Sequence, residues 1–89
     1  MKAIFQTGQF KKDLKRLKKR GKDLSKLKEV VSAIANSEAL EGRHRDHALS
    51  GNGSGSMDCH IEPDWILIDR VAGEFLFLER TGSHSDLFR

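Results

Sequence analysis

The 89-residue chain has one cysteine, one proline, one tryptophan and no tyrosine. Cys59 can make no internal disulfide, which fits a reducing compartment and excludes a disulfide-stapled scaffold. No apolar run approaches the roughly 20 residues that a membrane span needs. The N-terminal MKAIFQTGQFKK lacks the apolar centre of a signal peptide. A cytoplasmic protein with no membrane partner is therefore expected. The composition, 37% hydrophobic and 33% charged, is that of a folded chain. This length suffices for one small domain and not for two, so residues 1–89 are read as a single domain.

Charge is unevenly spread. Residues 1–29 carry eleven Lys/Arg against only Asp13, Asp23 and Glu29. Residues 30–89 carry five Lys/Arg against ten acids. A basic block beside an acidic one suggests a surface that faces a polyanion, although a lysine run alone more often marks a solvated helix face.

Periodicity organises the chain. Lys2–Gln6 alternates as a short strand. Thr7 can cap a helix over about 8–19, with Phe10, Leu14 and Leu17 as its apolar stripe and Gly21 as its stop. Asp23 can cap a second helix that runs to about Asn36. Its stripe is Leu24, Leu27, Val30, Val31 and Ile34. Strands follow at Arg45–Leu49, Met57–Ile61, Trp65–Val71 and Glu74–Arg80, the last two joined through Ala72-Gly73. Pro63 suits the second position of a β-turn. The stretch GNGSGS (51–56) then falls in a loop between short strands and marks no domain boundary. A consecutive meander is antiparallel, so the fold class is α+β, with an N-terminal strand and a two-helix hairpin packed on an antiparallel sheet.

Four histidines lie outside the helices: His44 and His47 at the second strand, His60 on the third and His84 after the last. Strand ends in a meander can converge, and Asp64 follows His60 in the turn. Imidazoles with a carboxylate suit general acid–base work. RNA cleavage by its own 2′-OH needs a base, an acid and a cation near the phosphate. An aromatic such as Phe88 can stack on a base. A single strand histidine is more often structural. No paired spacing such as CxxC or HxxxH is present, so neither a metal site nor a cofactor is expected. Alternation places Cys59 opposite Asp58 and His60, in the core.

The segments DHALSG (46–51), DCHIEPDWILI (58–68) and ERTGSHSDLF (79–88) closely resemble the YafQ branch of the RelE/ParE toxin superfamily. The order of strand, two helices and sheet is similar over nearly the whole chain. The resemblance implies a RelE-like fold and a bacterial or archaeal type II toxin. It implies an endoribonuclease that cuts mRNA in the ribosomal A site, without metal, and is held inactive by a cognate antitoxin in an oligomeric assembly. It maps the catalytic set onto His47, His60, Asp64, His84 and Phe88. His84 is then the first choice for acid or base. The basic residues Lys11, Lys12, Lys15, Arg16, Lys18 and Lys19, with Arg80 and Arg89, would contact ribosomal RNA. Two departures stand out. Ala48 replaces the family's proline, and Gly53-Ser54-Gly55-Ser56-Met57 replaces Trp-Lys-Gly-x-Arg, removing one aromatic and two cations. The alternatives are a ParE-like toxin that inhibits gyrase without catalysis, and an attenuated toxin that only binds its antitoxin.

Overall fold

A computed structural model describes residues 2–36, 46–48 and 56–88. The elements run β1 (Ala3–Gln6), α1 (Gly8–Lys19), α2 (Leu24–Ala35), β2 (Asp46–Ala48), β3 (Ser56–Glu62), β4 (Trp65–Ala72), β5 (Phe75–Gly82) and α3 (His84–Leu87). The expected strand ends Arg45 and Leu49, residues 51–55 of the expected loop 51–56, His44 and Arg89 lie outside the described residues, and Ser56, expected in that loop, instead begins β3.

One five-stranded sheet forms, in the order β1-β5-β4-β3-β2. The meander β2 to β5 is antiparallel, as expected. β1 differs: it joins β5 in parallel, pairing Ala3 with Phe75 and Gln6 with Leu78, so the sheet is mixed. The two-helix segment carries the chain from β1 at one edge to β2 at the other, and the meander then returns strand by strand until β5 lies beside β1. Such a crossover is what parallel neighbours require. The β4–β5 hairpin turns on Gly73-Glu74, one residue later than expected.

Local chemistry sets the helix ends. The Thr7 hydroxyl accepts from the Phe10 N–H at 3.0 Å and donates to the Glu79 carbonyl at 2.8 Å, so one side chain caps α1 and ties it to β5. Gly21, with φ 77°, takes the left-handed conformation that ends the first helical segment. The Asp23 carboxylate caps α2 through the Ser25 N–H at 3.0 Å.

Both helices lie over one face of the sheet. Phe10 and Leu17 from α1 and Leu27, Val30 and Ile34 from α2 pack with Cys59, Ile61, Trp65, Leu67, Leu76 and Leu78 in one buried cluster. Cys59 is fully buried, on the face its alternation assigns. The indole N–H of buried Trp65 donates to Thr81 Oγ1 at 2.9 Å, and Thr81 passes its own proton to the Ile66 carbonyl at 2.9 Å. Every polar atom in that core pair is therefore satisfied. No described helix is long and apolar enough to cross a membrane.

On α1, one buried residue breaks the apolar stripe. Asp13 lies on α1 between Phe10 and Leu17, and its side chain has no exposed surface. It accepts from Arg80 at 2.9 and 3.2 Å, from Arg16 at 2.7 Å and from the Thr81 N–H at 3.2 Å. Burial alone would raise its pKa. The hydrogen bonds from Arg80, Thr81 and Gln9 outweigh that and hold it below the ordinary carboxylate value. This network fixes the end of β5 against α1, just where the chain leaves the sheet for α3.

Candidate active site

Three elements meet at the end of the sheet where β3 turns into β4. β3 brings His60. The Pro63-Asp64 turn brings Asp64. The segment after β5 brings His84 on the short helix α3, which the sequence periodicity did not reveal, and Phe88 at its C-cap. Four residues are too few to show a helical period. The local signal is instead Ser83 with Asp86 three residues on. The Ser83 hydroxyl accepts from the Asp86 N–H at 3.2 Å, and Asp86 accepts from the Ser83 N–H at 2.9 Å, a reciprocal capping box.

Asp86 does more than cap. Arg20, at the end of α1, grips it with two bonds of 2.7 and 3.1 Å. Those bonds, with Ser83 and the nearby Arg16 charge, hold Asp86 far below the ordinary carboxylate range. A Cβ at Gly82 would lie 2.9 Å from an Asp86 carboxylate oxygen, so glycine there lets the carboxylate approach the backbone. α1, β5 and α3 are thereby clasped, and the clasp sets where His84 points.

Asp64 Oδ1 accepts from the His84 N–H at 3.0 Å and lies 2.8 Å from His84 Nδ1. The His84 backbone and then ring N–H hold Asp64 below the usual carboxylate range. An ionised carboxylate only accepts, so Nδ1 carries the proton of this pair. In the neutral ring, the basic lone pair is then on Nε2. The His60 ring lies 5.9 Å from that of His84, centroid to centroid, and the Phe88 ring 6.1 Å on. The pair is open: the His84 and Asp64 side chains are 55% and 72% exposed. Four of the five expected site residues therefore come together. For the fifth, His47, the backbone register alone is described. It pairs with Asp58, two residues from His60.

The basic set divides. Lys11, Lys12, Lys15, Lys18 and Lys19 are exposed along α1. Arg16 and Arg80 are instead engaged with buried Asp13. Two further lysines, which sequence reading counted only in the basic block, pair with Glu62 at the β3–β4 turn. Lys22 Nζ lies 3.0 Å from Glu62 Oε1 and Lys26 Nζ 2.8 Å from Glu62 Oε2.

Residues 2–89 match a family model described as the bacterial toxin of type II toxin–antitoxin system, YafQ. The mRNA interferase toxin YafQ of Escherichia coli K12 is 43% identical over 83 residues, covering 92% of this chain and 90% of that protein. The YafQ chain in the crystal structure of the E. coli DinJ–YafQ toxin–antitoxin complex superposes with a TM-score of 0.91 at 42% identity, over 99% of this chain and 98% of that one. A metal-bound toxin from Helicobacter pylori gives a TM-score of 0.94 at 40% identity, over 99% and 100%. Among the described residues of this chain, no three His, Cys, Asp or Glu are grouped to hold an ion. With a family model that matches residues 2–89 and relatives of this identity and coverage, the chain belongs to the YafQ family of bacterial toxins of type II toxin–antitoxin systems.

Proposed function

We propose that the chain is an endoribonuclease that cuts mRNA on the ribosome and is restrained by a cognate antitoxin. The observation that carries this reading is the Asp64–His84 pair, with the His60 ring beside it. His84 Nε2 takes the proton of the ribose 2′-OH, and the 2′-oxygen attacks the adjacent phosphorus. The bond to the 5′-oxygen breaks, and His60 supplies that oxygen's proton. The products are a 2′,3′-cyclic phosphate and a free 5′-OH. Asp64 keeps His84 in the required tautomer and stabilises the imidazolium that forms. Phe88, 45% exposed, offers a ring on which a base can stack. His47 shares the acid–base work or meets the phosphate. A gyrase-binding surface would need no such imidazole–carboxylate pair.

The exposed lysines of α1 support docking on ribosomal RNA by charge. Affinity of that kind is largely independent of sequence and falls steeply with salt. The E. coli relative is named an mRNA interferase, and its structure is that of a complex with DinJ. Those names support the target and the class of partner proposed here. The test is to map mRNA 5′ ends in a reconstituted translation reaction, with naked RNA in parallel. Discrete cuts within codons, present only with ribosomes, are expected. Equal cleavage of naked RNA would remove the ribosome from the reading, and no cleavage at all would remove the enzyme.

The clasp on α3 adds a prediction. Asp86→Ala releases Arg20 and the capping box, and α3 loses its fixed position. Misplacing a reacting group by about an ångström costs up to ~100-fold, so kcat should fall roughly 10- to 100-fold with KM nearly constant. Were Arg20 simply an RNA ligand, removing the acid beside it would strengthen binding instead. Steady-state kinetics on programmed ribosomes separates the two.

A further inference from the structure

Phosphoryl chemistry at this site calls for a cation beside the two histidines. All four described arginines already have an acid partner. Arg16 and Arg80 are on Asp13, Arg20 is on Asp86, and Arg70 is near Glu79 with its guanidinium over the Phe77 ring. Residues 53–57 carry no cation. Lys22 and Lys26 remain. We propose that these two lysines form the phosphate-binding site of the enzyme and hold the mRNA phosphodiester against His60 and His84. The proposal rests on the ribonuclease reading above.

The geometry is specific. Lys22 follows Gly21 and Lys26 sits in the first turn of α2, so both project from the α1–α2 corner toward the β3–β4 turn. Their ammonium groups take the two oxygens of one carboxylate, Glu62, one each. A carboxylate and a phosphodiester each present two equivalent anionic oxygens on one centre. Glu62 therefore occupies the place that a phosphate would take. It lies two residues from His60 and two from Asp64. Lys26, Glu62 and His60 share the wall of one cleft of about 830 Å³, together with Ser25 and Asp23. The Lys22 ammonium also lies 5.9 Å from the centroid of the buried Trp65 ring, which orients it. Its charge reaches Asp64, where it helps keep the carboxylate ionised.

Stability does not require this arrangement. The Lys22 and Lys26 side chains are 38% and 50% exposed, and ion pairs in such positions contribute little to folding. Exchange of Glu62 for a phosphodiester is therefore cheap. The incoming phosphate brings a second, catalytic use for the same positive charge, because negative charge grows on its oxygens as the 2′-oxygen attacks.

Single-turnover cleavage of mRNA on programmed ribosomes, with thermal melting of each variant, tests the proposal. Removing one such stabilising group costs about 100-fold in comparable sites. Lys22→Ala is expected to lose roughly that, Lys26→Ala roughly 10-fold, and Lys22→Arg to recover most of the loss. Glu62→Gln frees both lysines and should speed cleavage about threefold by removing the competing charge. If Glu62→Gln slows cleavage as Lys22→Ala does, the three residues are a structural brace and the proposal falls. It also falls if Lys22→Ala cleaves at the parental rate. A parent chain that leaves mRNA intact would instead sink the ribonuclease reading itself, and this one with it.

Discussion

His84→Ala should abolish mRNA cleavage while leaving the protein as stable as its parent. A positioned acid or base contributes on the order of 10²- to 10⁴-fold, and His84 is the residue on which the other site groups converge. Its Nδ1 is engaged by Asp64, and the rings of His60 and Phe88 lie 5.9 and 6.1 Å from its own. The ring is 55% exposed and belongs to no core cluster, so truncation opens no cavity. Asp64→Asn should be milder. Asparagine can still accept from Nδ1–H, but it supplies no charge to the imidazolium formed in the transition state. A loss of about 100-fold is expected, smaller than the ~10⁴-fold found for a buried triad aspartate, because Asp64 is 72% exposed and water screens its charge. Single-turnover rates and melting temperatures for both variants check this. An alanine variant that cuts at parental speed would move the chemistry to other residues. A variant that no longer melts cooperatively would make His84 structural.

Much of this arrangement was legible in the sequence, and the reasons differ from element to element. α1 and its ends could be read because Thr7, the Phe10–Leu17 stripe and Gly21 act locally. The convergence of His60, Asp64 and His84 followed from a meander's habit of returning to one edge. Their assignment as a catalytic set came from family resemblance, because acid–base residues on strand ends carry no spacing of their own. The parallel pairing of β1 with β5 joins residues some seventy positions apart, and no local pattern encodes it. α3 was too short for periodicity, yet its Ser83-x-x-Asp86 signature was there to be read. Asp13 is the most instructive miss. In a lysine-rich helix it reads as one more charge on a wet face, but it falls three residues after Phe10 and four before Leu17, on the stripe that is buried. Lys22 and Lys26 were hidden in the same way, counted with the basic block when their partner was Glu62, on the far turn.

Asp13→Ala should be the most destabilising substitution of a charged residue described here. The side chain is completely buried and serves Arg80, Arg16 and the Thr81 N–H together. Removing it leaves a buried backbone donor without its acceptor, deprives Arg80 of its partner and leaves Arg16 only the more distant Asp86. Breaking a fully buried ion pair costs 3–5 kcal/mol, but both arginines keep about a third of their surface in water, so a loss of about 3 kcal/mol is expected. For a domain of this size that lowers Tm by roughly 15 °C. The pH dependence supplies an independent check. Asp13 has a lower pKa in the folded protein than its ordinary value of 3.8. The unfolded chain therefore binds the proton first as pH falls. The stabilisation from ionised Asp13 is complete above 3.8 and is lost as pH drops through the folded-state value. Asp13→Asn cannot titrate, so its stability should fall less steeply with acid than the parent's over that window, although it starts lower at neutral pH. Urea midpoints measured across the acid range decide the matter. Parallel curves for the parent and Asp13→Asn would show that the buried carboxylate is not the group that titrates. Curves that converge toward low pH would show that one charge on α1 fastens the strand end from which the site is hung.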